Sequence, residues 1–459
     1  MHVYHCDNTI RDLYGGGNAA DIGTSTVNAD VNLTVDGGRF QRVFGGGNGE
    51  VSPANIYGAA NTTIEGGLID ELYGGGNSQG NISATNLVVN EAGSCAMMIG
   101  EIFGGGNEVP IIGDVVTTLE CGDQTYGSFY GGANLASIFG NVTVNVFGGT
   151  FNNFFAGSRG RLANPSANPP IEEKSADILD NPATTDIEEG NVTLNIFGGT
   201  FKEAAYGGSD VLGKIDGKIT VNVFNAGGNC SLDLANLYGA GRNTAYEPTY
   251  TDTVNATRLS PVINLIHGTV KGNVYGGGQG ATATTKADPV VNIGYDVATM
   301  GTATSGLVKA LFDTIQAHNN NTWTAPTAYI DTVVGNVYGG GSLAQVDGST
   351  TVNVYSGEIG VMGYGKKVGS SVYDSIYHVE YDAVNHLIGG SVYGGGQGSY
   401  TDLDLARVKG NSNVNIMGGH VYNNVYGGGE MGSVGEREAV HTSFLICSPD
   451  SIELTVDPS

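Results

Sequence analysis

The chain has 459 residues, of which 76 are glycine and only 12 proline, and 19 Lys+Arg against 45 Asp+Glu give a formal net charge of −26. Without a strict G-X-Y period it is not collagen, and at 40% hydrophobic residues it is too apolar for disorder. The acidity excludes nucleic acid as a partner, because a polyphosphate needs clustered Lys and Arg, and no apolar run nears the ~20 residues of a membrane-spanning helix.

From the N-terminus, MHVYHCDNTI lacks the apolar core of a signal peptide. A repeated signature then begins: an aliphatic–aromatic pair, small residues and a polar one. It reads LYGGGN from Leu13, VFGGGN from Val43, LYGGGN from Leu72 and IFGGGN from Ile102. Degenerate copies follow at Phe129, Phe154, Ala205 and Leu237, and sharp ones return as VYGGG from Val274, Val337, Val392 and Val425. The first six aromatic positions lie 30, 29, 30, 27 and 25 residues apart. IYGAAN from Ile56 breaks the step and reads as a mid-repeat corner.

A second element precedes many signatures, as in VNLTVDGGRF (31–40), VTVNVFGGTF (142–151), VTLNIFGGTF (192–201) and TVNVYSGEIG (351–360). Val142, Val144 and Val146 alternate with Thr143, Asn145 and Phe147, the period of a half-buried strand. The module is therefore strand, GG corner, short strand, GGG corner. Coils of 25–33 residues that cannot bury their own apolar faces must stack. The fold class expected is all-β: a right-handed parallel β-solenoid of about twelve coils over residues 1–459, with loop insertions and one helical insertion, roughly 55–60 Å long at ~4.8 Å per coil.

The repeated VNVFGG and VYGGGN units resemble the glycine-rich parallel β-helix regions of large bacterial surface and secreted proteins, including adhesin passenger domains. That resemblance implies an extracellular or cell-surface location and no particular ligand.

Glycine triplets can cradle phosphate, but none here ends in the Gly-Lys-Ser/Thr of a Walker loop. They read instead as corners, where glycine supplies left-handed backbone angles: Gly15, Gly45, Gly74, Gly104, Gly276, Gly339, Gly394 and Gly427. Asn or Gln after the triplet is expected to hydrogen-bond from coil to coil. Asp does not recur at a fixed offset, so there is no regular calcium cage; an isolated calcium site among the acids stays open, and no other cofactor is expected. The five cysteines (Cys6, Cys95, Cys121, Cys230, Cys447) form no CxxC and read as buried or incidental thiols rather than a disulfide framework.

Thr34, Asn145, Asn195, Asn222, Asn353, Asn415, Asn264 and Asn292 form a column on the first strand. It reads either as an intercoil ladder or as a flat face for ice or crystalline polysaccharide. Insertions are expected at 158–190 (acidic, Pro-rich loop), 242–260 (loop), 297–331 (helix-containing, with Ser305 as cap) and 360–390 (aromatic-rich hairpin or loop). Their rings Tyr246, Tyr250, Trp323, Tyr364, Tyr377 and Tyr381 are the candidate sugar contacts, since rings stack on sugar faces. Asp374, Glu380 and Asp382 could pair for glycoside hydrolysis, yet no GxSxG, HExxH or compact catalytic constellation is present.

The function expected is a structural or adhesive module contacting glycans or a host surface, part of a longer protein or of an end-to-end assembly. A carbohydrate-active enzyme or glycan-binding protein is the alternative, and ice or crystal-surface binding the third.

Overall fold

The computed structural model describes residues 1–181, 190–228, 230–249, 259–318, 322–360, 389–402 and 404–435. Twenty-nine strands join into one continuous sheet in which every strand pairing is parallel. The expected all-β parallel solenoid is what the chain forms.

Each coil contributes two strands. The first, exemplified by Val142–Val146, pairs in register with Val115–Leu119 below and Val192–Ile196 above, where Val142 meets Val192 and Asn145 meets Asn195. The second ends at the signature pair, as Arg39–Phe44 does between Thr9–Tyr14 and Gly67–Tyr73. A third wall is a line of bridges through Ile22, Ile56, Ile82, Ile111, Ile138, Ile178 and Ile215, widened to a two-residue strand pair where Ile138–Phe139 meets Ile178–Leu179. Tyr246, Thr285, Val346, Val408 and Val434 continue it. IYGAAN is therefore no corner: Ile56–Ile64 is one long strand that joins the third wall to the first.

Strand alternation sends Val, Ile and Leu inward to a single core running through the coils. The signature's second residue points the other way and builds a separate stack. Twelve rings, from Tyr14 to Tyr426, lie face to face with centroids 4.6–5.5 Å apart and planes within 4–13°. Each such contact stabilises by about 0.5–1.5 kcal/mol beyond area burial. Arginines cover the rings: Arg42 lies over Phe44, Arg159 over Phe103 and Tyr130, and Arg242 over Phe155 and Tyr206. Arg42 is fixed by two hydrogen bonds to Asp12 at 2.8 and 2.9 Å, which hold the Asp12 carboxyl below its ordinary range.

The triplet glycines are corners for a reason other than the expected one. None has a positive φ. A Cβ at Gly15, Gly45, Gly74, Gly104, Gly276, Gly339 or Gly394 would overlap the carbonyl oxygen of the equivalent glycine one coil on. Hydrogen bonds such as Gly45 N–H to Tyr73 O (2.9 Å) and Gly46 N–H to Gly75 O (3.0 Å) hold the corners that close. Left-handed glycines sit instead in the GG pairs, for example Gly149 at φ +93°.

Amide ladders run on two lines. After the triplets, Asn48, Asn77, Asn107 and Asn134 each donate to the preceding coil's asparagine at 2.7–3.0 Å, from Asn134 down to Asn18. Arg159 Nε closes the line on Asn134 at 2.8 Å. On the first wall, six bonds of 2.8–2.9 Å link Asn145, Asn195, Asn222, Asn264, Asn292, Asn353 and Asn415. Asn195, Asn222, Asn264 and Asn292 are buried, so the middle of the column is an internal ladder and not a presented face.

Two disulfides, Cys6–Cys95 and Cys121–Cys230, correct the reading of the cysteines as thiols. Each joins a corner loop to the corner loop three coils further on. The two intervening coils cross beneath on glycine pairs, where a Cβ at Gly37 would strike Cys95 Sγ and one at Gly148 would lie 2.8 Å from Cys230 Sγ. Glycine there leaves room for the bridge.

Candidate functional site

The first wall carries a second apolar row on its outer side: Phe147 and Phe197 directly after their strands, Phe224 at the end of its strand, and Ile266 within the longer strand Val262–Val270. In water such a row would be exposed. The insertion 297–331 covers it with the helix Gly306–His318, whose Val308, Leu311, Phe312 and Ile315 recur at helical spacing and are buried against the wall. Ser305 directly precedes this helix as expected, though its hydroxyl pairs with Thr302 Oγ1 at 3.0 Å. A shorter helix, Val297–Met300, is capped by Asp296, which accepts from Thr299 N–H and Oγ–H at 2.8 and 2.7 Å.

The end of the long helix makes a cleft of about 360 Å³ against the second disulfide. Its lining includes Cys121, Cys230, Phe147, Phe197, His318 and Trp323. His318 lies flat on Phe147, centroids 3.6 Å apart and planes at 6°. Its Nδ1 is 2.7 Å from Glu120 Oε2, one residue before Cys121. Trp323 donates its indole N–H to Ala226 O at 2.9 Å and receives Phe312 edge-on. A second, polar cleft of about 160 Å³ adjoins it, with Asp123, Thr150, Thr200, Ser231 and Cys230 in its lining. On the helix's other flank a space of about 440 Å³ is edged by Glu120, Asn145, Asp313, Thr314 and His318.

Of the six rings expected to contact sugars, Trp323 and Tyr246 lie among the described residues, and Trp323 lines this cleft. Tyr246 is a core residue, 2% exposed, bridged to Thr285 in the third wall with its hydroxyl on Gly217 O at 2.9 Å. Arg242 and Tyr246 are thus wall residues, bridged to Gln279 and Thr285. Tyr250, Tyr364, Tyr377, Tyr381 and the carboxylates Asp374, Glu380 and Asp382 lie outside the described residues. The stretch 158–181 is more ordered than a solvated loop: Arg161 bridges Lys174 and Asn164 bridges Ile171 in a small antiparallel hairpin before Ile178 rejoins the wall. Among the described residues, no three His, Cys, Asp or Glu gather as metal ligands, and no helix is long and apolar enough to cross a membrane.

Sequence reasoning missed Cys121, Cys230, Glu120 and His318. The signal was available in coil units: 89 residues from Cys6 to Cys95 is three coils of about 30, and Cys121 and Cys230 occupy the same place in their coils. No family model, curated protein or solved structure matches the chain.

Proposed function

We propose that the chain is an extracellular or surface-displayed structural segment, a rigid rod that carries insertions outward on its walls. The two disulfides carry this reading. Structural disulfides persist in oxidising compartments and are rare where glutathione and thioredoxin keep thiols reduced. Here each one fastens four successive coils of a body already held by parallel ladders. The high negative charge suits a protein kept soluble at high local density. Among the described residues the last coil leaves Ile416, Met417, Val425 and Tyr426 exposed, a face on which a second copy could stack.

Labelling intact source cells with a membrane-impermeant amine reagent, followed by non-reducing mass mapping, tests the reading. A labelled chain with both disulfides is expected; an unlabelled cytoplasmic chain with free thiols would overturn it. Adhesion through glycans is favoured by the placement of Trp323 in a ring-lined cleft. A glycan array with the parent and Trp323→Ala decides that: binding lost in the variant supports it, and no binding by either rules it out.

A further inference from the structure

The two disulfides share one architecture but not one environment. Cys95 is buried at 7% exposure, whereas Cys121 is exposed and Cys230 half-buried. Cys230 lines both the ring-lined and the polar cleft; Cys121 lines only the former. Cys121 and His318 share the lining of that cleft, and His318 Nδ1 is held 2.7 Å from Glu120 Oε2. The first bridge also has polar neighbours, with His5 beside Cys6 and a His2–Asp36 pair at 2.7 Å, but its second sulfur is enclosed.

We propose that Cys121–Cys230 is a thiol–disulfide exchange site for low-molecular-weight thiols, and that Cys6–Cys95 is a purely structural bridge. The incoming thiolate attacks Cys230 Sγ, since Cys230 is the cysteine that lines both clefts. A bond forms between the thiol's sulfur and Cys230 Sγ as the Sγ–Sγ bond breaks, and its electron pair leaves on Cys121. His318, in the same cleft, supplies the proton to the departing Cys121 sulfur, which makes Cys121 the better leaving group; Glu120 is a positioning residue that fixes the imidazole at 2.7 Å. A second thiol then attacks the mixed disulfide, releasing the oxidised thiol dimer and leaving Cys121 and Cys230 as thiols. The overall step reduces the bridge by two electrons and oxidises two thiols. Phe197, Trp323 and the Gly227–Gly228 lip supply an apolar seat for the thiol's substituent, while Asp123 and Asp313 disfavour anionic thiols nearby.

The molecule contains its own reporter. Trp323 is the only tryptophan and lines the same cleft as the bridge, so opening the disulfide changes its emission. The experiment uses the full chain with free thiols, Cys447 included, alkylated beforehand. Non-reducing mass mapping first establishes that both bridges exist; their absence would overturn the exchange site and the disulfide argument for the rod together. 2-Mercaptoethanol is then added, Trp323 emission is followed, and time points are trapped by alkylation and mapped. We expect Cys121–Cys230 to open about ten-fold or more faster than Cys6–Cys95, with the mixed disulfide on Cys230. His318→Gln keeps a planar hydrogen-bonding side chain. It is expected to slow the second bridge about ten-fold, remove the histidine-dependent limb of its pH–rate profile, and leave the first bridge unchanged. Glu120→Gln keeps an acceptor for the imidazole and should slow the second bridge less than Glu120→Ala does. Equal rates for both bridges, or a His318→Gln variant with an unaltered rate and pH profile at Cys121–Cys230, would overturn the proposal while leaving the rod reading intact.

Discussion

Single residues in this fold answer to the coil above them. The same corner position recurs twelve times, as glycine in eleven coils and Ala156 in one, yet its surroundings differ at the last described coil: a Cβ at Gly74 overlaps Gly104 O, while one at Gly427 meets no atom of the described residues within 4 Å. Gly74→Ala is therefore expected to cost about 2–3 kcal/mol through forced separation of two corners, and Gly427→Ala to be near neutral, as read from urea midpoints. Gly46→Val should be worse than either, with Ile82 Cδ1 at 2.5 Å and Gly76 N at 2.8 Å from the new Cβ alone.

Asp331 is a second residue-scale case. It is fully buried, one carboxylate oxygen lacks a partner, and burial raises its pKa to about 7 despite a hydrogen bond from Ser356 at 3.3 Å. A carboxyl with a raised folded pKa is protonated in the fold after the unfolded chain has released its proton. Stability from this group is thus complete below about pH 4 and falls as pH rises to about 7, by up to about 1.4 kcal/mol per unit. Asp331→Asn should flatten the urea midpoint across pH 4–8. A midpoint as steep in the variant as in the parent would reject the assignment.

Elements here are ladders more than strands. In the first-wall ladder each amide donates in one direction, so Asn222 serves both neighbours, accepting from Asn264 and donating to Asn195. Asn222→Leu orphans a buried donor and a buried acceptor and is expected to cost about 2–4 kcal/mol. Asn415 is exposed and makes one bond at the ladder's end, so Asn415→Leu should cost under about 1 kcal/mol. Equal losses at the two sites would mean that burial does not govern the ladder. The alternation in VTVNV was sufficient to identify these strands, because β-branched residues at period two admit few other solutions. The helix was also legible, from apolar residues 307, 308, 311, 312 and 315. Its destination was not: Phe147, Phe197 and Phe224 are separate words in the sequence and become one row only when coils stack.

The whole molecule is a near one-dimensional array, in which stability is a sum of coil terms and nearest-neighbour terms. The disulfides interrupt that regularity, since they tie coils one to four and five to eight and leave the coils that end at Tyr275, Tyr338, Tyr393 and Tyr426 without a bridge among the described residues. Hydrogen exchange is expected to open residues 390–435 before residues 115–224. Reduction of both bridges should narrow that difference, each bridge contributing about 2–4 kcal/mol. Exchange that is uniform along the rod before reduction would contradict it.

The sequence by itself determined the architecture, the number of rungs and the identity of the stacked ring in each, because a period and an alternation are local properties that any stacked solution must respect. Tertiary structure decided why the corners are glycine: the excluding atom is a carbonyl about thirty residues away, not the residue's own φ. It decided that Tyr246 is core, that the middle of the asparagine column is internal, and that four scattered cysteines are two bridges. It also placed His318 and Glu120, 198 positions apart in the chain, beside one disulfide. Each depends on which residues lie a whole number of coils apart once insertions are looped out, and no local pattern carries that count.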